Sequence, residues 1–448
     1  MNKFEKILLS IFFIELFAGG GGRLIDFGVL SIRQVLFLLI IFTFIFRIIK
    51  EKAIWNPEVN TFFRFTPLSI GIYLLIGSFA FSAIYGYING HPLSIIVMDF
   101  FRVSFIGLYF PLAYYISNKR FSIERIIKLL KYSALVVAIF TIVVSLLGKT
   151  VFSANFYPFY DFINTLMNDD LFFRPSNGVF YKSHVYVLIA LIISLNALLN
   201  KKFSKIDLAN ILFCSISILW SESRGLLLAF SFAVLVIILI DGKIIIDPIK
   251  GFVKKFQRIL KTSPYVKKSA VLILIVLSIP LLYNHMTLER FQDETAEKRP
   301  SQTEKDAEAD AEVNDISVNA RIEFIVDSKR ILLENPLNII IGSGYGTEIA
   351  GRTTGIEMSM LDILIEQGVI GLLIWLYLAL LAFYYYLAAY KKGASIQSND
   401  IALMAAFAGI LLLTNINPYI NNPIGICFFL IVLISSYRFK EGAYLNRT

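Results

Sequence analysis

The sequence predicts an all-α polytopic membrane protein with about 12 transmembrane helices and one large, partly helical external loop. Three observations carry that expectation. Of the 448 residues, 57% are hydrophobic and only 17% charged, against about 45–50% and about 25% in ordinary soluble domains. Apolar runs long enough to cross a bilayer recur along the whole chain. Lysine and arginine are concentrated in every second connection, as the positive-inside rule requires.

In order, the candidate spans are 5–18, 28–48, 67–88, 94–117, 131–148, 183–200, 206–220, 225–241, 267–283, 365–388, 400–416 and 422–438. Lys3 and Lys6 ahead of the first run resemble a signal peptide. The following GGGG makes a poor cleavage site, so the run is read as a retained span. The cation-rich connections carry Arg47, Lys50 and Lys52, then Lys119 to Lys131, then Lys201, Lys202 and Lys205, then the segment 242–268, then Lys391 and Lys392, and finally Arg438 and Lys440. GGGGRLIDFG, NGHPL, 149–182, SESR, 284–364 and NINPYINN alternate with them and are poorer in lysine. This pattern predicts both termini on the cytoplasmic side. The division is then 1–283 with spans one to nine, a loop 284–364, and 365–448 with the last three spans. Within the loop, 292–316 is acidic and expected to be flexible. Residues 317–356 hold an amphipathic helix and a glycine turn.

Composition excludes several function classes. The net charge of +9 records loop orientation rather than nucleic-acid binding. Cys214 and Cys427 lie in apolar runs and read as buried thiols. His91, His184 and His285 are far apart and set out no metal-ligand pattern. The basic stretch within 242–268 reads as an interfacial helix on anionic lipid.

Arginines on the predicted outer side are the chemical signal, because orientation rules would place them inside. They are Arg33, Arg102, Arg174, Arg224, Arg321, Arg330 and Arg352. Arg102 has an alternative in pairing with Asp99 one turn away. Arg33 has one in snorkelling to the interface, and Arg330 with Lys329 in forming a solvated helix face. Arg224, in the minimal turn WSESRG, is costly there unless an anion meets it. Guanidinium groups hold phosphate through two parallel hydrogen bonds and stay charged, so the set predicts an anion-binding pocket at the outer leaflet. Glu357, in TTGIEMSMLDILIEQGVIG, is the candidate general base; its alternative is a carboxylate favoured by a helix N-terminus. GSGYG at 342–346 has no strand–turn–helix context for nucleotide binding and reads as a flexible turn. A transporter for an anionic lipid-linked glycan and a purely structural membrane protein stand as readings of other classes.

These pieces resemble the bacterial O-antigen polymerase and O-antigen ligase superfamily of membrane glycosyltransferases. The likeness runs from about Arg174 to Gly371. It rests on FRPSNGVFYKS, the SRG turn with Arg224, NARIEF with Arg321, ENPLNIIIGSGYG, and IEMSMLDILIEQGVIG with Glu357. The resemblance implies an all-helical bundle in the bacterial inner membrane with a periplasm-facing cavity, no metal and no cofactor. It further implies a donor glycan on undecaprenyl pyrophosphate and a chain-length regulator as partner. Glu357, Arg224 and Arg321 are then the catalytic residues. Arg102, Arg174, Arg33, Arg352, Lys182 and His184 are the substrate-binding candidates. The ligases of this superfamily carry His where this chain has Glu357, which favours polymerisation of repeat units over ligation to lipid A core.

Overall fold

The computed structural model describes residues 1–240, 272–275, 278 and 316–445, apart from 23–24, 28–29, 57–58, 60–62, 118–119, 175, 354 and 392–397. The acidic piece 292–316, save its last residue, the basic segment 242–268 and most of the ninth expected span, 267–283, lie outside the described residues.

The architecture is helical. In chain order the helices are α1 (Lys3–Ala18), α2 (Ile32–Lys50), α3 (Pro67–Ile88), α4 (Leu93–Val103), α5 (Tyr109–Ser117), α6 (Ile123–Lys149), α7 (Phe156–Leu166), α8 (His184–Leu199), α9 (Lys205–Trp220) and α10 (Arg224–Ile240). After the undescribed stretch come α11 (Ile316–Glu334), α12 (Pro336–Ile341), α13 (Ser359–Lys391), α14 (Ser398–Leu413) and α15 (Pro423–Leu445). Two short antiparallel hairpins interrupt them, β1 (Asp26–Phe27) with β2 (Leu30–Ser31), and β3 (Leu171–Phe173) with β4 (Val179–Tyr181).

Among the described residues, five helical stretches are long and apolar enough to cross a membrane: Ile32–Lys50, Pro67–Ile88, Leu93–Ile116, Ile123–Lys149 and Ser359–Ala389. Four more apolar helices are shorter, and α1 and α9 have 16 residues each. Capping boxes start α1 at Asn2, α2 at Ser31, α3 at Thr66 and α9 at Ser204. At Asn2, Ser31 and Thr66 the side chain accepts a backbone N–H that the first helical turn leaves unpaired, and at Ser204 the Asp207 carboxylate accepts the Ser204 N–H. The bundle is built around α8 and α14, which are buried on nearly every face. α8 lies against α6, α9 and α14; α10 runs along α14, and α13 along α3 and α15.

Local chemistry moved several expected boundaries. The second span begins at Ile32 because β1 and β2 occupy the residues before it. The fourth is broken into α4, a 3-10 turn at Ser104–Leu108, and α5. Pro111 explains the break, since it lacks an N–H and its ring crowds the carbonyl four residues back. The tenth starts earlier, at Ser359, and kinks at Gly368, whose φ of 67° interrupts the helix.

The expected flexible turn at 342–346 is instead buried and docked. The Tyr345 N–H donates to the Ser82 carbonyl of α3 (3.0 Å), and the Gly346 N–H donates to Asp99 Oδ2 of α4 (3.0 Å). The Ser343 N–H donates to the Ile365 carbonyl of α13 (2.7 Å). Gly344 has φ +90°, and a Cβ there would overlap the Gly86 backbone nitrogen. Gly344→Ala should therefore destabilise the protein by more than the about 1–3 kcal/mol of left-handed backbone strain alone. A thermal melt of the detergent-solubilised variant checks this, and an unchanged Tm would contradict the close approach.

Candidate functional site

A cavity of about 740 Å³ opens where the β3–β4 hairpin, the turn before α10, α11, the segment 352–357 and the α14–α15 turn meet. Its lining carries Arg33, Arg174, Lys182, Arg224, Arg321 and Arg352, with Glu222 and Glu357 as its carboxylates. Seven of the nine residues named from sequence are thus brought together.

Each cation is placed by its element. Arg224 is the first residue of α10, where a cation opposes the positive end of the helix dipole. That position is costly for structure and well suited to an anion, which gains from the dipole and the guanidinium together. Arg174 follows β3; its Nε donates to the Ser221 carbonyl (3.0 Å), and its guanidinium lies over the Phe180 ring. Lys182 is paired with Asp170 at 2.6 Å. Asp170 also accepts from the Gly21 N–H at 2.5 Å. The glycine run at 19–22 is read from this packing, because a Cβ at Gly21 would sit 2.6 Å from that carboxylate.

Arg33 does not snorkel. It is 2% exposed, holds Glu15 through Nε (2.9 Å) and Nη2 (3.1 Å), and donates to the Gly20 carbonyl. Its Nη1 is buried without a hydrogen-bond partner, so at the cavity floor this arginine is mostly neutralised.

Glu357 lies in a bend two residues ahead of α13, beside the helix N-terminus rather than on the helix. Arg321 Nη2 stands 3.6 Å from Glu357 Oε2, and Arg352 Nη1 stands 3.6 Å from Oε1. Arg321 also donates to the Ile416 carbonyl (3.3 Å), and Arg352 stacks over Phe324. Beneath these residues a small core of Phe324, Ile331, Ile349, Ile356 and Ile365 fixes the loop to α13. Asp327 of α11 accepts from the Ala350 N–H at 2.7 Å. Burial raises this carboxyl, but the Ala350 N–H and Arg330 outweigh it and hold it below the usual range. The tether is complete above the ordinary value of about 4 and is lost as pH falls through the lower folded value.

Arg102 and His184 are corrections, since neither lines the cavity. Arg102 is buried among Asp362 (3.0 Å), Glu366 (2.7 Å) and Asp99 (3.4 Å). Gly355 separates it from the cavity by one backbone layer; a Cβ there would overlap Arg102 Nη1. His184 is fully buried, with Nε2 3.0 Å from Ser217 Oγ and its ring stacked on Phe180, so it supports the wall from behind. Sequence reasoning missed Glu222, which is bonded to Ser176, has φ 49° and faces the cavity. It also missed the turn at 416–424, where Asn417, Pro418, Tyr419 and Asn422 supply lining. Glu222 was legible in SESRG beside Arg224. The turn carries no charge and gave no signal.

The arrangement can hold a doubly charged anion between α10 and α11 and place a carboxylate next to it. Residues 209–376 match the family described as O-Antigen ligase. That range contains Glu222, Arg224, Arg321, Arg352 and Glu357, and it also covers the docked glycine turn. Over 441 residues, 97% of this chain and 95% of the other, the sequence is 27% identical to an O-antigen polymerase of Shigella flexneri. Both likenesses are to bacterial proteins of O-antigen assembly, a ligase family over the segment that holds the cavity's charged residues and a polymerase along nearly the whole chain.

Proposed function

We propose that the protein polymerises lipid-linked oligosaccharide repeat units into O-antigen or a related surface polysaccharide at the outer face of the bacterial inner membrane. The convergence of Arg224, Arg321 and Arg352 with Glu357 in one cavity carries this reading. The donor is the growing glycan on undecaprenyl pyrophosphate, and the acceptor is the next lipid-linked unit. The acceptor hydroxyl oxygen attacks the anomeric carbon while its proton passes to the Glu357 carboxylate. The bond from that carbon to the pyrophosphate oxygen breaks, and the electron pair stays on the lipid diphosphate. Arg224 and Arg321 stabilise that charge as it develops, in place of a divalent metal. A single displacement inverts the anomeric carbon. Arg174, Lys182 and Arg352 extend the clamp; Arg33, held by Glu15, forms part of the floor, and Arg102 supports the site from behind.

Both termini are cytoplasmic on this reading, the segment 284–364 lies outside, and a chain-length regulator is the expected protein partner. Similarity along nearly the whole chain to a polymerase, and glutamate at 357, favour polymerisation over ligation. The test is the glycan left in cells lacking this protein. Single repeat units on the lipid carrier are expected. Long chains retained on the carrier would identify a ligase, and lipid-linked units confined to the inner leaflet would identify a flippase.

A further inference from the structure

Helix α11 has two apolar stripes, and only one packs against other described residues. Phe324 and Ile331 point into the small core under the loop. On the opposite side Ile322, Ile325, Val326 and Leu333 are 53%, 50%, 63% and 62% exposed. At 3.6 residues per turn these four fall within a sector of about 100°, the width of a buried helix face. Arg330 binds Asp327 and Glu334 along one edge of this stripe. Arg321 turns into the cavity along the other. Lys329 lies within the sector, where a long stem can carry its charge out of an apolar layer.

The stripe does not stop with the helix. Leu337 and Ile340 of α12 are exposed in the same way. α12 packs directly on α13, where the Ile340 carbonyl meets Gly368. Just beyond that contact, Ile370 and Leu373 face outward from the long apolar helix. A contiguous apolar surface of this kind marks contact with something other than water, and here it is continuous with the outward face of a helix long and apolar enough to cross a membrane.

We infer that the outer face of α11 and α12 is embedded in the acyl region of the bilayer, so that the helix carrying Arg321 is a membrane-inserted rim of the cavity and not a solvated loop. The partner is the hydrocarbon layer itself. An amphipathic helix with charged residues along one edge and branched aliphatics on its face sits about 5–10 Å into the headgroup–acyl boundary. Arg321 is then held at headgroup level, where the diphosphate of a lipid-linked substrate also resides.

The test uses the full chain in nanodiscs of phosphatidylethanolamine and phosphatidylglycerol. Nitroxide labels are placed through Ile322→Cys, Val326→Cys and Leu333→Cys, with Glu323→Cys and Glu334→Cys as references. Cys214 and Cys427 are buried and stay unlabelled. Collision with dissolved oxygen should exceed collision with a water-soluble nickel chelate at the three apolar positions. The order should reverse at the two references, and the three labels should report a depth of about 5–10 Å. Chelate access at 322, 326 and 333 equal to that at 323 would put the face in water and overturn the inference. Exclusion of both reagents would put another protein surface there and overturn it equally. No glycan is involved, so this result stands or falls separately from the proposed polymerisation.

Discussion

Glu357→Gln is expected to stop chain growth while leaving the protein folded and inserted. Loss of a positioned general base costs about 10²–10⁴ in rate, enough to erase a polymer ladder. The structural cost is small by comparison. Its two ion pairs are 3.6 Å long and the side chain is 35% exposed, and pairs of that kind contribute about 0–1 kcal/mol. The amide keeps the size and one acceptor oxygen, so Arg321 and Arg352 retain a neighbour. Lipopolysaccharide gels should show single units, with wild-type amounts of protein in the membrane fraction. Wild-type product lengths would remove Glu357 from the base role. Glu357→Asp, which keeps the charge and withdraws it by one methylene, should fall between the two.

Arg102→Met is expected to fail at a different level. Arg102 is the cation among Asp99, Asp362 and Glu366. The cluster also accepts from the Gly346 N–H, the Ile356 N–H and Asn421 Nδ2. Removing the guanidinium leaves buried carboxylates uncompensated, which costs about 3–5 kcal/mol out of a total stability of about 5–15. Little folded protein should be recovered, and its Tm in detergent should drop sharply. Arg102→Lys, a point charge without the planar fork, should reach fewer of the acids and be intermediate. Glu366→Gln should be tolerated, because three acids share one arginine and Glu366 Oε2 has no hydrogen-bond partner. A wild-type Tm for Arg102→Met would show that the cluster does not hold the bundle together. Measured by activity alone, this variant would be mistaken for loss of a substrate contact.

The contrast between these two residues explains what the sequence could reveal. Arg102, inside the fourth expected span, and Glu357, just ahead of the tenth, were both ionisable groups in or next to apolar runs, and hydropathy does not tell their roles apart. What separates them is Gly355, one residue whose backbone passes between Arg102 and the cavity. No periodicity encodes such a layer. Four of the six cations that reach the cavity, Arg33, Arg174, Lys182 and Arg224, are at helix starts or beside hairpin strands, where a charge needs a partner and the sequence betrays the need. His184 shows the converse. Its neighbours Tyr181 and Ser217 satisfy both ring nitrogens, and Ser217 comes from a different helix that no local pattern links to it. The helices were legible from apolar length and loop charge, whereas the break before Pro111 and the kink at Gly368 depend on φ and on a missing N–H. The glycine turn was misjudged because three glycines suit a mobile loop and a tightly docked one equally.

That turn also limits how the helices around it can move. Its bonds to Ser82, Asp99 and Ile365 fasten it to three helices at once. Lifting it would break those bonds and open the Arg102 cluster to water, so a gate in this position would cost more than a substrate could return by binding. Held in this way, α3, α4 and the start of α13 behave as one unit behind the cavity.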